Sequence, residues 1–197
     1  MSRYFLTFLY IAMLLGLSSA QDKPSESVRF CFVGADDLAD PSAPRFEQYP
    51  AAIVPPFSPA KLDLRSSPIA NMYRTVIRQQ MKQGPNFAGH YRVAIWGCGS
   101  SCAQFAVVDL QSGRVITAKG VNNVSDVHFG ANDFLPGTDS EEWGFRLKKD
   151  SRLLVLVGTL NEDESKEGAF YYVLKDGRLQ PIHKTLAKRN TCTDEKD

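Results

Sequence analysis

The thiols of Cys98 and Cys102 lie close together in the chain, with Gly99-Ser100-Ser101 between them. A redox-active pair usually has two intervening residues and stands at the start of a helix, which lowers the thiol pKa. Here three residues intervene and a strand-forming segment follows, so the spacing does not favour thiol chemistry. The small intervening side chains allow a tight bend, and we therefore expect a structural disulfide in a hairpin loop.

The N-terminus determines the compartment in which these cysteines would work. Arg3 is the only charged residue before Asp22, an apolar run covers 4–17, and Ser18-Ser19-Ala20 supplies small residues for cleavage. This pattern predicts a secretory signal peptide over 1–20 and a secreted or periplasmic protein. The apolar run is shorter than a membrane-spanning helix requires, so we expect no stable membrane anchor after cleavage.

Export favours disulfides over reduced thiols, and the chain has four cysteines. Four cysteines allow three pairings. We favour Cys98–Cys102 with Cys31–Cys192, because the two ends of a domain commonly lie close together. In the chain-entropy model the short loop contributes about 2 kcal/mol and the long loop about 5 kcal/mol of stability.

Metal-ligating residues occur in one further place. Asp126 and His128 are two residues apart and would share a face of a strand. With Asp133 they are weak metal candidates. A zinc site could in principle take its four ligands from Cys98, Cys102, His90 and His128. The spacing of the histidines is not that of a zinc finger, and a solvated acidic loop is the simpler interpretation. We predict no metal and no other cofactor.

Other catalytic patterns are incomplete. Gly84–Gly89 has the two glycines of a phosphate-binding loop, but His90-Tyr91 stands where Lys and Ser or Thr are required. We interpret it as a helix-to-strand connection. Gly-x-Ser-x-Gly does not occur, and the adjacent Glu141 and Glu142 would point in different directions. We assign no catalytic residue.

The residues around the cysteine loop are the candidate binding surface. A rigid loop with an aromatic residue and glycines could present a binding hot spot. For Trp96 alone, a place in the core is the simpler expectation. The surface comprises His90, Trp96, Gly97, Gly99, Ser100 and Ser101.

One helix is predicted. Ser67 is a suitable N-cap, Pro68 occupies the first helical position, and Gly84-Pro85 ends the segment. The three-and-four spacing predicts one buried face formed by Ile69, Met72, Tyr73, Val76 and Ile77. Another face carries Arg74, Arg78 and Lys82, which we interpret as a solvated face rather than a contact for an anionic partner.

Strands and turns account for most of the remaining chain. Strands are predicted over 28–33, 91–96, 103–110, 114–119, 143–148, 153–160, 169–175 and 178–182, with the Asp176-Gly177 turn a strong hairpin signal. Prolines over 35–59 exclude regular structure there. We expect this segment to lie extended over the core, anchored by Phe46, Tyr49, Ile53, Val54 and Phe57.

These elements predict one domain. It is an α+β, mainly β, antiparallel sheet of hairpins with one amphipathic helix on it. We place a polar lead-in at 21–27, the domain at 28–185 and a polar tail, expected to be disordered, at 186–197. The formal net charge is +1, with 43% apolar and 23% charged residues, which argues against disorder, a coiled coil and a dedicated nucleic-acid binder.

Two blocks of the chain carry more specific motifs. The first has G-P-N-F-A-G-H-Y, W-G-C-G-S-S-C and F-A-V-V-D-L-Q-S-G-R-V within 84–115, and the second has D-S-R-L-L-V at 150–155 with Tyr171-Tyr172. Together they resemble a family of exported bacterial proteins that has no assigned activity. The resemblance implies bacterial export and a shared fold, but it implies no mechanism.

Two functions are consistent with these observations. The first is a disulfide-stapled exported module that binds an envelope or extracellular protein or glycan without catalysis. The second is an envelope enzyme, either a metallo-hydrolase or a thiol catalyst, that uses His90 with the cysteine pair, or Asp126 with His128. We lean toward the first, because no catalytic pattern is complete.

Overall fold

The computed structural model describes residues 30–31, 38–125, 144–188 and 192–193. Two consecutive helices precede the main sheet: α1 (Pro68–Met72) and α2 (Arg74–Met81). The strands are β1 (Phe30–Cys31), β2 (Tyr91–Gly99), β3 (Cys102–Asp109), β4 (Val115–Ile116), β5 (Val124–Ser125), β6 (Phe145–Leu147), β7 (Leu153–Leu160), β8 (Glu167–Lys175), β9 (Arg178–Leu186) and β10 (Cys192–Thr193).

The main sheet has eight strands, all in antiparallel ladders. Its order is β2-β3-β5-β7-β8-β9, with β4 paired to β3 and β6 paired to β7. An isolated parallel bridge joins Ala118, just after β4, to Leu179 in β9. The pairings therefore form a closed circuit through β3, β4, β9, β8, β7 and β5, and the sheet curls around an interior. The predicted α+β, mainly β class is confirmed.

Successive side chains of a strand point to opposite faces of the sheet, and this divides the core into an interior and two outer layers. Phe105, Leu154 and Phe170 belong to the interior cluster. The opposite face of β7 and β8, with Val155 and Tyr171, packs against residues from 38–49. Strand β7 is buried along its whole length, which explains why its sequence is apolar except at Thr159 and does not alternate.

The outer face of β2, β3 and β4 is covered by the helices. Ser67 caps α1 as predicted, with its side chain accepting from the Ile69 backbone N–H at 3.2 Å. The helical segment is interrupted at Tyr73, whose φ of −107° and ψ of 24° separate α1 from α2. Because of this interruption the predicted buried face is wrong at Met72, which is 67% exposed, while Ile77 is fully buried.

The proline-rich segment follows the surface of the sheet, and against the prediction it contains one 3-10 turn at Phe46–Gln48. Phe46 is buried and Tyr49 packs against the same outer layer, and Phe57 packs against the helix layer. Ile53 is 59% exposed, so its predicted anchoring role is wrong. The prolines prevent a regular register here, and apolar residues can therefore face either way.

The two ends of the described chain meet in a small sheet of their own. Strands β1 and β10 pair antiparallel, with Phe30 opposite Thr193 and Cys31 opposite Cys192. Part of the predicted C-terminal tail therefore forms a strand. No helix in the described ranges is long and apolar enough to cross a membrane.

Candidate binding site

The tip of the β2–β3 hairpin is a small disulfide-closed loop. Cys98 and Cys102 are joined by a disulfide, with their Cα atoms 5.2 Å apart. Ser101 takes a φ of +50° at the turn, and the ladder shifts register between Gly97 and Gly99. Gly97 to Ser101 are exposed, whereas Cys102 is buried. In this state neither sulfur is a thiol, so the loop offers a rigid surface and no nucleophile.

Trp96 lies beside this loop on the outer face of the sheet. Its ring packs against Tyr73 with centroids 4.7 Å apart, and its indole N–H donates to the Gln104 side-chain oxygen at 3.0 Å. Gln104 lies directly opposite Trp96 in the ladder. The break between α1 and α2 brings Tyr73 over the strand. The interruption of the helix therefore positions the aromatic pair.

These residues form part of a cleft of about 360 Å³. One wall is α1, with Ile69 and the exposed Met72, and the opposite wall is the loop 117–122, with Lys119 and Asn122. The cleft therefore combines an aromatic pair, an exposed thioether, an amide and one cation, which suits a ligand with both apolar and polar parts. We call it the Trp96 cleft.

The loop wall is held by Asn161, a residue that no sequence motif indicates. The Asn161 side chain accepts from the Asn122 N–H at 2.7 Å and donates to the Gly120 carbonyl at 2.8 Å. Asn161 itself has a φ of +58°, a conformation that asparagine tolerates better than most residues. A turn that follows β7 thus fixes the far side of the Trp96 cleft.

His90 does not join this surface, although the sequence analysis placed it there. It precedes β2, and the six residues to Trp96 span about 20 Å in an extended strand. Its Nε2 lies 3.5 Å from the Asp109 carboxylate and its ring packs on Tyr91, with centroids 4.2 Å apart. Burial, followed by the nearby Asp109 charge, raises the pKa of Tyr91.

A separate cavity of about 570 Å³ adjoins His90 and Tyr91, with Arg152 also in its lining. The imidazole is thus oriented by a carboxylate, but the two cysteines lie at the other end of the hairpin. The structure does not bring His90, Cys98 and Cys102 into one site.

The motif Gly84–Tyr91 has structural roles along its length. Gly84 takes a φ of +79° just after α2, Phe87 is fully buried, and Asn86 bonds the backbone of Val93. Gly89 takes a φ of +81°, and a Cβ there would lie 2.1 Å from the Ala52 carbonyl oxygen. These observations account for the glycines without a phosphate ligand.

The weak metal candidates Asp126, His128 and Asp133 lie outside the described residues. Within the described ranges, no group of three or more His, Cys, Asp and Glu side chains is arranged to hold a metal ion.

A polar cluster that the sequence analysis missed joins Asp40 to β9. Asp40 Oδ2 lies 2.8 Å from His183 Nε2 and accepts from the Thr185 hydroxyl at 2.9 Å. In a catalytic triad the two imidazole nitrogens face the acid and the nucleophile separately. Here the same nitrogen faces the carboxylate and, at 3.5 Å, the hydroxyl. The cluster therefore fastens the 38–49 segment to the sheet and is not a triad.

No protein-family model matches this chain, and comparison with curated proteins and with solved structures finds no match. The likeness of 84–115 to a family of exported proteins therefore stays a resemblance.

Proposed function

We propose that this protein is an exported, non-catalytic binding module that takes an envelope or extracellular partner at the Trp96 cleft. The observation that carries the proposal is that the exposed Met72 and the Tyr73–Trp96 ring pair line one cleft together with polar groups. Aromatic and methionine side chains are enriched in the central parts of interfaces, where they are buried by the partner.

The rigidity of the cleft supports binding. The disulfide closes the hairpin tip, the Gln104 bond holds the indole, and Asn161 fixes the opposite loop. Groups that are already fixed lose little conformational entropy when a partner arrives, so more of the contact energy appears as affinity.

Export supports the same proposal. The signal-peptide pattern over 1–20 would place the chain in an oxidising compartment, where the Cys98–Cys102 disulfide persists. The domain would then work outside the cytoplasm, without a membrane anchor.

Two observations favour binding over the thiol-catalyst alternative. Both sulfurs of the hairpin tip are in the disulfide, and His90 lies at the far end of β2 from them. A cysteine nucleophile needs a thiolate with a base within hydrogen-bond reach. The Asp126/His128 alternative concerns residues outside the described ranges and gains no support.

The test uses two defined probes. Dodecapeptides selected from a random phage-displayed library represent protein partners, and oligosaccharides of N-acetylglucosamine represent glycans. We expect one class to bind by calorimetry, and Met72→Ser to lower its affinity about tenfold, because Met72 is exposed on the cleft wall.

Ile53→Ser is the matched control, because Ile53 is almost as exposed but lines a different cavity. It should leave the affinity unchanged. Failure of both probes to bind, or an equal loss in the two variants, would refute binding at the Trp96 cleft.

A further inference from the structure

Strand β2 is an edge of the main sheet, and its outward backbone groups are covered in a regular series. Tyr91 exchanges hydrogen bonds with Phe87, with distances of 2.9 and 3.1 Å. The next outward residue, Val93, is covered by the Asn86 side chain, which accepts from its N–H at 2.8 Å and donates to its carbonyl at 3.2 Å.

The third outward residue, Ile95, is covered in the same way. The Gln80 amide accepts from the Ile95 N–H at 3.3 Å and donates to the Ile95 carbonyl. Asn86 and Gln80 thus supply the donor and acceptor that a neighbouring strand would supply. Proteins commonly protect sheet edges, because unpaired edge groups pair readily with other chains.

The series stops at Gly97. In an antiparallel ladder every second residue directs its N–H and carbonyl outward, so Gly97 follows Val93 and Ile95. In the part of the chain that the structure describes, no group pairs with the outward side of Gly97. A Cβ on Gly97 or on Gly99 would also meet nothing within 4 Å, so no neighbouring residue packs on either glycine at its face of the sheet.

We infer that the open edge at Gly97 binds an extended segment of a partner protein by adding it to β2 as a short strand. The inference rests on the proposed function and specifies its partner as a polypeptide. A strand paired at Gly97 would direct alternate side chains to the outer face, where Trp96 stands. Backbone pairing would then supply affinity and the Trp96 cleft would select a side chain.

The hairpin tip suits this role. The disulfide joins Cys98 of β2 to Cys102 of β3, so an incoming strand cannot separate the two. Glycine at positions 97 and 99 lets another backbone approach without a side chain in the way. An oligosaccharide has no alternating N–H and carbonyl groups, so this edge favours a peptide over a glycan.

The first measurement is amide hydrogen exchange in the free protein. The Gly97 amide should exchange quickly, while the Val93 and Ile95 amides should be protected by Asn86 and Gln80. A dodecapeptide selected from the library should then protect Gly97 and leave the other two unchanged. A Gly97 amide protected without peptide, or unprotected with it, would overturn the inference.

Substitutions give a second test. Gly97→Pro removes the outward N–H, whereas Gly97→Ala keeps it and has room for the added Cβ. We expect the proline variant to bind the peptide about tenfold or more weakly than the alanine variant, because only the alanine variant keeps the outward N–H. Equal affinities in the two variants would contradict strand addition, and the exchange experiment decides the matter if Gly97→Pro does not fold.

The outcomes separate this inference from the proposed function. Peptide binding that responds to Met72→Ser but not to Gly97→Pro would leave the Trp96 cleft as the site and remove strand addition. Binding of the oligosaccharide without binding of any peptide would also remove strand addition and would leave the proposed function as glycan binding. Dimerisation through the Gly97 edge, detected by sedimentation, would replace the partner protein by a second copy, and no binding at all would overturn both proposals.

Discussion

Gly113 and Gly177 stand in similar hairpin turns, with φ values of +77° and +66°, but their surroundings differ. A Cβ on Gly113 would lie 2.0 Å from the Lys61 carbonyl oxygen, while a Cβ on Gly177 would meet nothing within 4 Å. Asp63 also donates its backbone N–H to the Gly113 carbonyl at 2.9 Å. Gly113 is therefore where the segment before the helices docks on the sheet.

Substitution of these two glycines separates backbone strain from close approach. Gly177→Ala should lose about 1 kcal/mol of stability, because only the positive φ opposes it. Gly113→Ala should lose about 3 kcal/mol or more, because the Lys61 backbone must also move. The free energy of unfolding in urea measures both, and equal losses would show that the Lys61 contact has no effect.

Ser151 is a second residue that stabilises the fold through contacts with a distant segment of the chain. It is almost fully buried, and its hydroxyl lies 2.9 Å from the Phe46 carbonyl and 3.0 Å from the Tyr49 carbonyl. Ser151→Ala should lose about 1 kcal/mol, because each of the two carbonyls would lose the hydroxyl and keep only its backbone N–H donor. The exposed Ser58 is the control, and Ser58→Ala should leave the urea midpoint unchanged. A similar midpoint for the two variants would refute this role of Ser151.

Asp40 gives the protein an acid-sensitive contact. Hydrogen bonds from Ser42, then from His183 and Thr185, hold the pKa of this carboxyl well below its ordinary value of 3.8. A carboxyl with a lowered folded-state pKa stabilises the fold above its unfolded pKa, and this contribution is lost as the pH falls below it. Stability should therefore fall as the pH drops from about 4 toward 2.

Asp40→Asn should lower stability at neutral pH and flatten its decline below about pH 4. Asp176→Asn removes the same charge from an exposed turn and should keep the decline of the unchanged protein. Urea midpoints at several acidic pH values measure the difference. A steep decline that persists in Asp40→Asn would assign the acid sensitivity to other carboxyls.

At the scale of elements, the side chains that cover the outward edge of β2 can be tested with a matched pair of variants. Gln80→Ala should lose about 1–3 kcal/mol, because the Ile95 backbone groups lose their partner. It should also increase self-association, because the open edge becomes longer. Gln79→Ala changes the exposed neighbour and should have neither effect. Urea unfolding and sedimentation measure the two effects, and a monomeric, fully stable Gln80→Ala would contradict the capping role.

The hairpins could be predicted from sequence, because short turns and strand-forming runs are local signals. The prediction of 153–160 matches β7, and Ser67 begins the helix as expected. The orientation of Met72 could not be predicted, because one non-helical residue at Tyr73 rotates one helix against the next. The predicted anchoring role of Ile53 was wrong for a related reason. Irregular chain has no periodicity from which a buried side can be inferred.

At the scale of the whole molecule, the two predicted disulfides would contribute unequally. Directly opposed residues in antiparallel strands have Cα atoms about 4.5–5.5 Å apart, which suits a disulfide, and Cys31 lies opposite Cys192. We expect the intact chain to be lighter than its reduced form by two hydrogens for each of two bridges. Free thiols at Cys31 and Cys192 in the alkylated, unreduced protein would refute the long bridge.

Stability should follow loop length. Replacing Cys31 and Cys192 by serine should lose about 5 kcal/mol, and replacing Cys98 and Cys102 should lose about 2 kcal/mol. Urea unfolding of the two double variants measures the difference. A larger loss from the short loop would mean that the hairpin tip stabilises the fold by more than chain entropy.

The candidate site could be predicted only in part. Trp96 and the cysteine loop are neighbours in sequence, so grouping them required no tertiary information. The opposite wall of the Trp96 cleft, with Lys119 and Asn122, is brought there by the sheet. The contact of Asp40 with His183 joins residues far apart in the chain, and no local pattern indicates it.

The first and last strands in the order β2-β3-β5-β7-β8-β9 differ in a way that bears on growth of strand-paired filaments. Strand β9 carries Pro181 and a register shift near Ile182, both of which hinder further pairing, whereas β2 is open at Gly97. A filament built from added strands needs two competent edges on every copy, so that each addition exposes a new one. Of these two strands only β2 is open, so an association that uses them ends after a single addition, and even concentrated solutions should yield at most pairs by this route.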